Sequence, residues 1–444
     1  MAVTPPLRGP DEAAHFVRIY GISRGEVTAS TADANGHKGI FLPERVYRDL
    51  LHFDLARETL MTKGRVDYRQ VFAEHLRQRA ERRASTGDEA QVFTLYSGSE
   101  GYAPIAYLPY ITAALFARAG GLQFLETLYL MRLFGFVAMT AIVAYAIAMV
   151  PRLQWAFLLM AMLPEALYSR AVISADGAAL ACAMLITALC LRAAAGLAGS
   201  TPWQRSLWMT LCVLSKPPQI AFVLLEAMTQ TPGALRRGWK SLALVILPAL
   251  ALTLAWTLAS SADVAGWRMF EHRGIPPEQF DPVWKLKFLL EHPLHFISAV
   301  WVSLHDLSAL WVQMIGLMGW MDTELRWWLY PALSALFLAV CLVRLDLDVR
   351  TRAWVALVAA AAVIGYWLAL YVIFFLIWTE IAMDHVDGVQ GRYLIVILPL
   401  AATIIATIVP RSLPETLRAW LATLGALLSG LATIDAVLRV DWLR

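Results

Sequence analysis

The sequence has 444 residues, of which 59% are hydrophobic and only 16% charged. A soluble domain carries about 25% charge, so this composition, with a mean hydropathy of +0.57, excludes an ordinary soluble protein and predicts an all-α polytopic membrane protein. The formal charge of +3 gives no sign of a nucleic-acid partner, and Cys182, Cys190, Cys212 and Cys341 sit in apolar runs without zinc-type spacing, as packing residues do.

The chain divides into an extracytoplasmic loop over 1–128 and a membrane domain over 129–444. Residues 1 to 101 hold 14 Lys/Arg and 14 Asp/Glu and no run long enough to cross a bilayer. The opening "PPLRGPDEAAHF" lacks the basic start and apolar run of a signal peptide. Asp11, Glu12 and His15 there suit a metal or acid/base group, and equally an ordinary helix start after Pro10. The stretch 102–121, with two prolines and three tyrosines, reads as an interfacial helix.

Spans are expected at 129–150, 153–169, 173–195, 241–260, 327–344, 353–378, 393–409 and 418–436. The stretch 207–229 is interrupted by Lys216-Pro217-Pro218 and is either one broken helix or a hairpin. Counted as a hairpin, it brings the domain to about 9–10 membrane segments. It also lets one alternation place Arg152, Arg192, Arg205, Arg236, Arg237, Lys240, Arg344, Arg350, Arg352, Arg411 and Arg418 on the cytoplasmic side. The outward connections are then 170–175, the turn at Lys216, 261–326 and 379–392.

Those outward connections carry the residues with chemistry. Asp176 is either a charge kept for function or a helix cap behind Ser174. Lys216 either pairs with an acid such as Asp176 or meets an anionic ligand. Arg392, in "GVQGRY" with Gln390 and Tyr393, has the fork geometry for phosphate, and Gly388 and Gly391 permit close backbone approach. An arginine snorkelling beside an aromatic belt explains the same pair. There is no serine elbow and no Walker or dinucleotide glycine motif, which argues against soluble-type nucleotide chemistry.

"PDEAAHFVRIYGISRGEV", "YAPIAYLPY", "SADG", "LSKPPQIA" and "GVQGRYLIVILPL" follow one another along nearly the whole chain. In that order they resemble a predicted bacterial membrane-protein family, domain-of-unknown-function family 2142. That family is similar to the GT-C integral-membrane glycosyltransferases, which use lipid-phosphate-linked sugars. The resemblance implies a GT-C-like helical bundle in the bacterial cytoplasmic (inner) membrane, with its active site on the extracytoplasmic face. It implies Asp11 or Glu12 as general base, or as ligand of a divalent metal ion where a member uses one. Lys216 and Arg392 match basic positions suited to the donor phosphate, Asp176 matches a second outer-face acid, and His15, Gln390 and Tyr393 are further candidates.

The implied partners are the bilayer, a polyprenyl-phosphate-linked sugar and a glycan or lipid acceptor. In the family a membrane helix precedes the acidic motif, whereas only ten residues precede Asp11 here. The expectation is a start assigned too late, with about 20 apolar residues encoded upstream. A transporter or flippase of lipid-linked saccharides and a non-catalytic scaffold are the competing readings. A carrier often shows an inverted repeat, and none stands out in the sequence.

Overall fold

The computed structural model describes residues 2–34, 36–82, 90–230, 238–261 and 281–443. In the N-terminal region α1 (Glu12–Ile22) is followed by β1 (Gly39–Pro43), α2 (Glu44–Lys63), α3 (Tyr68–Arg82) and β2 (Gln91–Leu95). β1 and β2 pair antiparallel, from Gly39 opposite Leu95 to Pro43 opposite Gln91. This ribbon was not expected. Its sequence "QVFTL" has the β-branched and aromatic content of a strand. A 3-10 turn (Pro104–Tyr107) then leads into α4 (Leu108–Ala119), whose 12 residues extend only about 18 Å, short of a bilayer crossing.

The chain continues with α5 (Phe124–Met149), α6 (Gln154–Met162), α7 (Pro164–Ala171), α8 (Asp176–Ala194) and α9 (Pro202–Ser215). A 3-10 segment (Pro217–Thr229) precedes α10 (Trp239–Ser261), α11 (Pro282–Glu291), α12 (Pro293–Ser303) and α13 (Leu307–Gly316). The chain ends with α14 (Leu329–Val340), α15 (Val349–Ile377), α16 (Gly391–Leu394), α17 (Leu398–Ile408) and α18 (Glu415–Val437). Among the described residues, six helical stretches are long and apolar enough to cross a membrane: 124–149, 176–194, 239–260, 349–377, 391–408 and 415–442. This is an all-α polytopic membrane protein.

Two expected spans are shorter than read. The 153–169 stretch divides into α6 and α7 because Pro164 has no N–H to continue the ladder. The 327–344 stretch forms an apolar helix only over Leu329–Cys341. Between α10 and α13, α11 and α12 expose Leu290, Leu294, Ile297 and Trp301, an apolar face of the kind an interfacial helix turns to lipid. Lys285 on α11 is buried and caps the end of α15 by donating to the carbonyls of Phe375 and Thr379.

Proline also explains the interruption at Lys216. The residue before a proline is pushed out of the helical region, and Lys216 is extended at φ −152, ψ 133. Arg205 on α9 donates to Glu226 on the 3-10 segment through two bonds of 2.8 Å, although the two residues lie 21 positions apart. A continuous helix would separate them by about 30 Å. The chain therefore doubles back as a hairpin with Lys216 at its apex.

α8 is the central helix, with 78% of its apolar window buried against 11% for α10. It runs from Asp176 at one end of the bundle to Arg192 at the other. At the Arg192 end the arginine-bearing connections meet. Arg152 pairs with Asp346 at 3.2 Å, Arg418 donates to the Arg152 carbonyl at 3.1 Å, and Arg192 donates to that of Met149 at 3.1 Å. Arg236 and Arg237 lie outside the described residues, as does 262–280 of the expected 261–326 connection. The N-terminal segment, the Lys216 turn, the 379–392 loop and the end of the chain gather at the Asp176 end.

Candidate functional site

The start of α1 is anchored by two buried arginines. Arg8 bonds Asp441 at 2.9 Å, Asp322 at 2.9 Å and the Thr323 hydroxyl at 3.2 Å, tying the N-terminal segment to the C-terminal one. Arg132 on α5 grips Glu12 through Nε at 2.7 Å and Nη2 at 2.6 Å, and also bonds the carbonyls of Thr4 and Pro5. Glu12 accepts two further bonds, from the Ile173 N–H at 2.9 Å and the Gly9 N–H at 3.1 Å. Both side chains of the Glu12–Arg132 pair are fully buried.

Asp11 faces elsewhere. Its backbone is left-handed, φ 54, which side chains other than glycine adopt at a cost. Its Oδ2 accepts from Arg392 Nη2 at 3.0 Å. The same Nη2 donates to the Tyr393 hydroxyl at 2.9 Å, and Arg392 Nε lies 3.9 Å from Asp176 Oδ2. Asp176 is ion-paired with Lys216, whose ammonium stands 4.2 Å from the centre of the Tyr393 ring. Asp11, Asp176, Lys216 and Arg392 thus form a chain of alternating charge around one tyrosine. The helix-cap reading finds no side-chain cap: Ala175 holds the N-cap position of α8, and Ser174 Oγ, one residue earlier, accepts from the Asp176 N–H at 3.2 Å.

His15 joins the cluster one helical turn from Asp11. Its Nδ1 is 2.6 Å from the Tyr107 hydroxyl, and its ring meets Tyr102 edge-on at 5.4 Å. Burial pushes the His15 imidazole down to about 4; Asp11 and Asp176 oppose that shift and Arg392 and Lys216 add to it. The ring is therefore neutral at ordinary pH. The Tyr102 phenol faces the same charges: burial, Tyr393, Asp176 and Asp11 hold it protonated, against Arg392.

Six of the eight residues singled out from the sequence come together here: Asp11, His15, Asp176, Lys216, Arg392 and Tyr393. Glu12 does not, because its carboxylate is saturated by Arg132 and two backbone donors. Gln390 contributes its carbonyl, which accepts from the Tyr393 N–H at 3.0 Å, and no hydrogen bond among the described residues ties its side chain to the cluster. The glycines of "GVQGRY" serve packing rather than ligand approach. A Cβ on Gly391 would stand 2.2 Å from the Leu310 carbonyl, and one on left-handed Gly388 2.4 Å from Trp378.

Sequence reasoning passed over two parts of this arrangement. Tyr102 and Tyr107 form its aromatic wall, and the signal was the tyrosine-rich "YAPIAYLPY". Arg132 lay inside an expected span, where a charge needs a partner.

The donor set does not suit a divalent metal. Each acid of the cluster is already matched by a cation, and no group of three or more His, Cys, Asp or Glu side chains gathers among the described residues. A model for predicted membrane proteins, the DUF2142 family, matches residues 1–401. The chain belongs to that family. No curated protein and no solved structure matches this DUF2142 chain.

Proposed function

We propose that this DUF2142 protein transfers a sugar from a polyprenyl-phosphate-linked donor to a glycan or lipid acceptor, at the extracytoplasmic face of the bacterial cytoplasmic membrane. The observation that carries the reading is a partly exposed carboxylate, Asp11, held within one cluster with two cations, Arg392 and Lys216. The GT-C resemblance of the sequence motifs supports the same reading. So does the gathering of arginine-bearing connections at the opposite end of the bundle, since such connections stay cytoplasmic.

Asp11 takes the proton of the acceptor hydroxyl, whose oxygen attacks the anomeric carbon. The bond from that carbon to the phosphate oxygen breaks, and its electron pair leaves on polyprenyl phosphate. Lys216 and Arg392 neutralise the charge developing there, and Asp11 supplies general-base catalysis. A single displacement inverts the anomeric carbon. Neutral His15 and Tyr102 place uncharged rings beside the charged groups. No step needs a metal.

The hairpin with a charged apex also favours a carrier of lipid-linked saccharides. Proteoliposomes loaded with polyprenyl-phosphate-[14C]sugar and a membrane glycan extract separate the two. A transferase moves the label into glycan and leaves polyprenyl phosphate. Label that changes leaflet while still joined to its lipid would overturn the transferase reading.

A further inference from the structure

Arg392 serves two partners with one nitrogen. Its Nη2 is shared between Asp11 Oδ2 and Tyr393 Oη. Its Nε has no hydrogen-bond acceptor among the described residues, the Asp176 oxygen at 3.9 Å being too far. The side chain is only 10% exposed, so an incompletely paired guanidinium is withdrawn from water. A buried donor left unpaired is costly, and the arginine fork is shaped to give two parallel bonds to phosphate oxygens.

Asp11 is the weaker claimant to that fork. Its side chain is 45% exposed, and one bond to Arg392 holds it. While Oδ2 accepts from Arg392 Nη2, the ion pair occupies that oxygen and keeps it from an acceptor hydroxyl. The ion pair thus withholds Asp11 from the role of base.

We infer that Asp11 is a built-in competitor for the phosphate seat: a polyprenyl phosphate displaces its carboxylate from Arg392, and the released carboxylate then serves as the base. The inference rests on the donor chemistry proposed above and adds its order. Donor binds before acceptor, and donor binding itself switches the base on. Lys216 remains with Asp176 throughout, so the exchange happens at Arg392 alone. No covalent bond changes in this step.

The distinguishing consequence is that removing the acid should tighten binding of the anion. Calorimetric titration of the purified full chain in detergent with farnesyl phosphate reads this directly. Asp11→Asn keeps the volume, and asparagine tolerates the left-handed backbone. Affinity should rise about two- to fivefold, the upper part of the range expected on removing a partly exposed ion-pair competitor. Asp11→Gly, at ease in that conformation, should show the same gain.

In an Arg392→Ala background the gain should disappear, because it acts through that guanidinium. Unchanged or weaker binding in both Asp11 variants would overturn the inference, as would an equal gain without Arg392, which would mark a general field effect. Binding by the original chain without any gain leaves the donor reading standing and removes only the exchange. No binding by either the original chain or Asp11→Asn removes the donor reading, and the inference with it.

Discussion

Replacing Glu12 by glutamine turns one buried carboxylate oxygen into an NH2 and removes the charge opposite Arg132. Four N–H donors converge on that carboxylate, from Arg132 Nε and Nη2, Ile173 and Gly9, at 2.6 to 3.1 Å. The amide keeps one oxygen, so two of the donors then face another donor. Arg132 retains one bond to the amide oxygen and those to the carbonyls of Thr4 and Pro5, none of which carries a charge. Removing one partner of a fully buried pair costs about 3–5 kcal/mol. The unfolding transition of purified Glu12→Gln in detergent should therefore fall by many degrees, with loss of monodispersity. Replacing both members, Glu12→Leu with Arg132→Met, should recover most of the loss, because apolar groups of similar volume need no partners. A Glu12→Gln protein that melts like the original yet transfers no sugar would refute this reasoning and return Glu12 to the chemistry.

The His15 imidazole sits at about 4 in the fold against 6.5 free in solution, with Asp11, Asp176, Arg392, Lys216 and the Tyr107 hydroxyl around it. Between those values the unfolded chain binds more protons, so stability should fall as pH is lowered from about 6.5 to about 4. His15→Gln should flatten part of that slope in melting curves; an unchanged slope would place the proton uptake elsewhere. At Tyr102, Phe should keep most transfer activity, whereas Ala should raise KM for the donor roughly tenfold by removing ring surface. Steady-state kinetics with full activity in both variants would take Tyr102 out of the site.

The cluster was legible where the chain breaks its own pattern. A lysine followed by two prolines inside an apolar run cannot continue a helix, and a charge there has to be answered. Arg392 stood out likewise at the start of a span. Asp11 and Glu12 could not be told apart, because adjacent residues differ only in direction and direction depends on the backbone. Asp11 is left-handed and Glu12 begins α1, which sends one acid to Arg392 and the other to Arg132. The partner of Glu12 lies 120 residues away, a distance that no local pattern encodes. The ribbon of β1 and β2 stayed hidden for a related reason, since its strands are separated by α2 and α3. Pro164 was visible in the sequence, but an apolar stretch of spanning length concealed its effect.

The most direct measurement is the rate of label transfer from polyprenyl-phosphate-[14C]sugar to glycan in proteoliposomes, comparing the original chain with Asp11→Asn at matched folding and donor occupancy. Loss of the general base predicts a fall of roughly 10²–10⁴-fold in transfer, while the donor is bound at least as well as before. Transfer at the original rate in Asp11→Asn would contradict the account, because no other carboxylate of the cluster is released when phosphate takes Arg392.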